Sequence, residues 1–290
     1  MALLAIAIQS SLSVWNLHYA CFAFSAHFAY NIASIANKMS KFAEKLQRIY
    51  RGSAPALGFR KSDEAESPPL LIMANLMKTG TAEANALVAA GIDAGIVSAK
   101  GLSAKSFGEL VKSMGDVPLG LSLESTEKEA IAKSIDLGCD FVVFGLKTPL
   151  EAVNKEGLGR LLKIEPSLEP GLVRAINGLP LSIDGVLVTG DESVITIERL
   201  LIYQRFTELL NKPLLVTLSS TVTADELSSL FEAGVNGLVL PEVLSADVFA
   251  NLKKSAGGLS RTAKRKTRAA LLPRVSGELE AEVEEEEEDI

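Results

Sequence analysis

Gly91-Ile92-Asp93-Ala94-Gly95-Ile96-Val97, Gly138-Cys139-Asp140-Phe141-Val142-Val143-Phe144 and Gly234-Val235-Asn236-Gly237-Leu238-Val239-Leu240 repeat one pattern. Each reads as the end of a helical stretch, a glycine, any residue, Asp or Asn, and then an apolar run. The glycine fits the residue just past a helix end, where a left-handed backbone costs glycine nothing. The three glycines are 47 and 96 residues apart, one and then two multiples of nearly the same period. Two strand–helix units of about 24 residues each explain that period, and such a repeat signals repeated architecture.

Working outward, short β-rich runs alternate with helical patterns. The strands read at 70–75, 94–98, 119–124, 141–145, 160–165, 185–189, 214–219 and 237–240. Helical stretches fall at 81–90, 103–114, 126–137, 195–210 and 223–233. Alternation of this kind builds a parallel sheet from βαβ units. Eight such units predict a small (β/α)8 TIM barrel over residues 70–256. Those 187 residues fall below the usual ~250 of this fold, so its loops must be short. The unit after the fourth strand is the weakest, with only 150–156 free for its helix. An open doubly wound sheet is the runner-up.

Three other segments flank the barrel. Residues 1–38 carry no charge before Lys38 and hold the only Trp, both histidines and a cluster of aromatics. Three readings stand open: an over-extended start with the natural chain beginning at Met39, a membrane-associated helix, or a packed helix. A positive n-region is missing, so a secretory signal is not expected. Gln9, Asn16, His18, His27 and Asn31 interrupt every window of the roughly 20 apolar residues that a span needs. Residues 39–69 begin as an amphipathic helix, with Met39, Phe42, Ala43, Leu46, Ile49 and Tyr50 at helical spacing, and continue as a Ser/Pro-rich linker. The helix is expected to cover the bottom of the barrel; a membrane-surface helix is the alternative. Residues 257–290 form a basic and then acidic tail, ending in the run 284–289, and such blocks stay solvated and disordered. The two blocks neutralise each other, so no nucleic-acid partner is expected.

The composition narrows the chemistry. The chain is 48% hydrophobic and 22% charged with net charge −7, a globular composition with no pull toward polyanions. Cys21 and Cys139 make neither a disulfide framework nor zinc spacing, which fits a cytoplasmic setting, with membrane association through the N-terminus as the alternative. Both histidines precede Lys38, so no His-based triad or His-ligated metal is expected in the barrel, and no cofactor.

Active sites of such barrels lie at the C-terminal strand ends. Strand alternation places Ser122 and Glu124 on the inner face of strand three, and Lys163 and Glu165 together on strand five. The same logic gives Asn75 on strand one and Thr217 and Ser219 on strand seven, with Lys147 ending strand four. A buried lysine needs carboxylate partners, and Glu124 and Glu165 would supply them. Lys163, Glu124 and Glu165 are therefore the candidate catalytic set: a desolvated amine can act as base or Schiff-base nucleophile, with the carboxylates as acid and base. The bland reading of the same three residues is a structural salt bridge. Asn75, Ser122, Lys147, Thr217 and Ser219 are the candidate substrate contacts. Lys100, Asp191 and Glu242 are expected to be surface charge, and Lys78-Thr79-Gly80 lacks the spacing of a phosphate loop.

The stretch Thr223-Ala224-Asp225-Glu226-Leu227 through Phe231-Glu232-Ala233-Gly234-Val235-Asn236-Gly237-Leu238-Val239-Leu240 resembles the strand-seven to strand-eight region of aldolase-type, phosphate-binding TIM barrels. That superfamily includes thiamine-phosphate synthase and indole-glycerol-phosphate synthase. The resemblance implies a phosphate site made by glycines after strand seven and a Gly-Ser pair after strand eight. This chain has Ser219-Ser220-Thr221 and Pro241-Glu242 at those places. Proline removes a backbone donor and the carboxylate repels phosphate, so the standard site is not expected. The expected function is a non-catalytic or degenerate barrel that binds a small molecule or serves as a scaffold. The alternative is a lyase or aldolase acting on a small carbonyl compound through Lys163. The oligomeric state is left open.

Overall fold

The computed structural model describes residues 40–52, 69–76, 80–124, 128–190, 194–241 and 244–259. The expectations for the N-terminal segment, the linker, the charged tail, Lys78, Asp191 and Glu242 lie outside them. Eight strands, β1 (Leu71–Asn75), β2 (Ala94–Ser98), β3 (Leu119–Ser122), β4 (Phe141–Gly145), β5 (Gly159–Ile164), β6 (Gly185–Val188), β7 (Leu214–Thr217) and β8 (Gly237–Pro241), pair in parallel in chain order. Leu71 lies opposite Gly237 and Met73 opposite Val239, so β8 closes on β1 and leaves no edge. The closed (β/α)8 barrel replaces the runner-up open sheet.

Among the described residues, nine helices accompany the strands: α1 (Lys41–Arg51), α2 (Thr81–Ala89), α3 (Ala104–Met114), α4 (Lys128–Ile135), α5 (Leu150–Val153), α6 (Pro170–Ala175), α7 (Ile197–Leu209), α8 (Ala224–Glu232) and α9 (Ala246–Gly257). The repeat glycines do what their spacing requires. Gly91, Gly138 and Gly234 have φ of 85°, 89° and 95°, and the N–H groups of Ile92 and Val235 reach back to Leu87 and Leu230. That is the Schellman closure, which reverses the chain into the next strand. At the start of α8 the Thr223 hydroxyl accepts from the Glu226 N–H while Glu226 accepts from the Thr223 N–H, a capping box.

The Asp or Asn of the repeat locks neighbouring strands together. Asp93 accepts the Ile72 N–H at 2.9 Å and Asn236 the Leu214 N–H at 3.1 Å. Each returns its own N–H to the carbonyl of the same residue. Asp184 repeats the exchange with Arg160 ahead of β6, a fourth copy that lacks the glycine and so escapes the pattern. One such residue thus precedes each even-numbered strand. Asp140 is the exception in use: its carboxylate turns to α1, taking the Ser40 hydroxyl at 2.8 Å and the N–H groups of Lys41 and Phe42 at 2.9 Å each.

Two apolar layers result from strand alternation. Side chains such as Ile72, Leu121, Val142, Leu162, Val186, Val216 and Leu238 face the helices. Leu71, Met73, Ile96, Phe141, Val143, Leu161, Leu187, Leu215 and Val239 fill the interior, together with Phe42, Leu46 and Ile49 of α1. The apolar stripe of α1 therefore plugs the N-terminal end of the barrel, with Phe42 stacked on Phe141 at 4.0 Å between ring centroids. Inner glycines make room for it. A Cβ on Gly120 would lie 2.3 Å from the Phe141 ring, and one on Gly185 2.8 Å from Leu46. Among the described residues no helix is long and apolar enough to cross a membrane.

Burial raises the pKa of Asp184 above the ordinary carboxylate value, opposed by the Arg160 N–H and the charges of Arg160 and Lys212. The folded state thus holds this proton more tightly than the unfolded chain. Its ionisation costs stability, a cost absent at low pH and complete once pH exceeds the folded pKa. Asp184→Asn keeps the acceptor, as Asn236 shows, and removes the cost. We expect equal or higher thermal stability than the parent at pH 7, with the difference vanishing toward pH 3; a variant less stable at both pH values would refute this.

Candidate functional site

The candidate site is the mouth at the C-terminal strand ends. The inner faces there carry Asn75, Ser98, Ser122, Lys163 and Thr217, each two residues beyond an inner apolar or glycine position of its own strand. Registers bring neighbours together: Ser98 lies opposite Ser122, and Lys163 lies between Gly145 and Leu187. Below this ring the interior is closed by Met73, Ile96, Val143, Leu187 and Val239, all buried. The mouth is therefore a polar rim over an apolar floor.

The expected catalytic set does not assemble as an ion-paired cluster. Lys163, Glu124 and Glu165 are all exposed, and no ion pair joins them among the described residues. β3 ends at Ser122 and β5 at Ile164, so both glutamates stand on the loops beyond the strands. Glu124 instead accepts the Ser98 hydroxyl at 3.2 Å. The premise of a buried lysine demanding carboxylates fails for a physical reason: at the open rim water solvates the ammonium, so no partner is required. Lys147 and Lys100 are exposed as well, and Ser219 lies past the end of β7 and is exposed.

Other nucleophiles and cations sit at the opposite end. Burial pushes the Cys139 thiol up to about 12, so it is a poor nucleophile at neutral pH. Among the described residues, Lys45 of α1 is the lysine whose pKa is pushed down, chiefly by burial and against the attraction of Asp93. It donates to the Asp93 carbonyl at 3.2 Å, while the Asp93 carboxylate pairs with Lys253 of α9. These contacts tie α1, α9 and the strand starts together, a structural role at the bottom of the barrel. No cluster of three metal-ligating side chains occurs among the described residues.

Neutral groups carry more of the mouth than the sequence reading allowed. The Asn75 Oδ1 is buried and has no hydrogen-bond partner among the described residues. Such an acceptor costs about 1–3 kcal/mol until a donor reaches it. Ser98, not among the residues expected from the sequence, is buried, accepts the Lys100 N–H at 3.2 Å and donates to Glu124. Thr189, just past β6, donates to the Ile164 carbonyl at 3.4 Å. The alternation Ala94-Ile96-Ser98 held the signal for Ser98: the inner face of β2 turns polar at its last residue.

No protein-family model matches the sequence, and no curated protein does. Solved structures match by fold. N-(5'-phosphoribosyl)anthranilate isomerase from Pyrococcus furiosus has a TM-score of 0.51 at 12% identity, covering 64% of this chain and 98% of that one. The isomerase of the same name from Thermus thermophilus gives 0.51 at 10%, with 64% and 98% covered. A tryptophan synthase chain from M. tuberculosis gives 0.51 at 12%, covering 76% and 99%. At such identities the likeness is one of fold alone, and at that level it agrees with the superfamily resemblance of residues 223–240.

Proposed function

We propose that this chain is a non-catalytic barrel that binds a small, neutral, polar molecule at its C-terminal mouth. The observation that carries the reading is the buried Asn75 Oδ1, without a hydrogen-bond partner among the described residues, on a rim whose inner side chains are mostly neutral. A ligand O–H or N–H aimed at Asn75 removes the cost of that orphaned acceptor, and Ser122 and Thr217 offer hydroxyls on the same face. The exposed lysine and glutamates lack the desolvation and the mutual contacts that an activated amine requires. The neighbours' isomerase and synthase names carry no substrate over to this chain.

A thermal-shift screen of the full chain against polyols, oxo acids and phosphorylated metabolites tests this. A ligand at 100 times its Kd adds about 2.7 kcal/mol of stability. The expected hit is a polyol whose shift is lost in Asn75→Leu or Thr217→Val and kept in Lys163→Met. The position of Lys163 on the inner face of the mouth favours one second reading, a lyase on a carbonyl compound. Borohydride reduction in the presence of oxo acids that traps an adduct on Lys163 would replace the binding reading with that one.

A further inference from the structure

Among the described residues, every exposed large apolar side chain except Val111 falls between residues 146 and 201. These positions belong to the units following β4, β5 and β6, which are adjacent in the barrel. The outer layer is thin there, because α5 has four residues and α6 six. The 13-residue α7 stands beside them and bears the most exposed of the group, Ile197 at 79%, with Leu201 at 61% one turn on. A monomeric protein rarely gathers apolar exposure on one arc, and such an arc marks a contact surface.

We propose that this face is where a second copy of the chain docks, with two α7 helices packed antiparallel about a two-fold axis beside Leu201. The charges on α7 select this occupant. Glu198 and Arg205 are seven residues apart, so both lie on the same side of the Ile197–Leu201 stripe, one on each side of Leu201 along the helix. Both are exposed, and neither has an ion-pair partner among the described residues. Two-fold symmetry makes an interface self-complementary: what one copy presents, its partner presents in reverse. Leu201 then meets Leu201, and Glu198 of each copy meets Arg205 of the other, so the pair forms twice. Leu150 and Leu172 on the flanking short helices extend the apolar contact to one side.

Analytical ultracentrifugation of the full chain tests the proposal. The expected result is a dimer at micromolar concentration that Leu201→Glu converts to a folded monomer, since the residue is exposed in each copy. Arg205→Glu and Glu198→Arg should each weaken the dimer about tenfold, and the double reversal should recover it, because like charges face each other only in the single variants. A monomeric parent, a dimer indifferent to Leu201→Glu, or a double reversal no stronger than the single variants would each overturn it. For a monomer, maleimide labelling of Leu201→Cys names the other occupant. A protected thiol means cover by another segment of the same chain, and a reactive one leaves the face to a different protein.

Discussion

Phe42→Ala lowers the unfolding free energy by about 3–5 kcal/mol, the range for truncating a fully buried phenylalanine. Phe42 is 0% exposed, and its ring stacks on Phe141 inside the barrel. The cavity left by truncation cannot close readily. The Phe141 ring on which Phe42 stacks is held by a barrel of eight paired strands, and behind that ring Gly120 has no side chain to move inward. Urea denaturation followed by far-UV circular dichroism measures the change. A loss under about 1 kcal/mol would mean that α1 is an accessory to the barrel and not part of its core.

Asp140→Ala costs about 2–4 kcal/mol, because one carboxylate accepts the Ser40 hydroxyl and the Lys41 and Phe42 N–H groups. The N–H groups at the start of α1 have no helical acceptor of their own, and the negative charge also faces the positive end of the helix dipole. Asp140→Asn retains an acceptor but loses the charge, so its loss should be clearly smaller. Both Asp140→Ala and Phe42→Ala act by releasing the same helix. Their double variant should therefore lose less than the sum of the single losses. Strict additivity, measured in the same denaturation series, would show that the cap and the plug stabilise different things.

Much of the barrel was legible because its signals are local. A glycine that ends a helix, an Asp or Asn that opens a strand and a short apolar run are all set by residues within one unit. The strand readings accordingly match the observed β1 to β8 to within a residue or two at each end. The fourth repeat was hidden because Asp184 follows Ser182-Ile183 without a glycine, and a short 3₁₀ turn at Ile176–Gly178 takes the place of a capped helix end.

The site was legible only in part. Alternation with period two does place Asn75, Ser122, Lys163 and Thr217 on the inner face, since a strand has no other choice. What alternation cannot state is depth. Lys163 and Met73 both face inward, yet one stands in solvent and the other is sealed, because height along the barrel follows from strand stagger and from which end is plugged. That stagger joins residues distant in sequence, as with Ser98 opposite Ser122 or Asp140 beneath α1. The sequence by itself determined the repeat, the parallel order and the inner face of each strand, since these follow from neighbouring residues. Only the tertiary structure decided that α1 closes one end, that Asn75 keeps a buried acceptor at the other, and that the lysine expected to be buried meets water. Each of these depends on what the closed barrel brings against it.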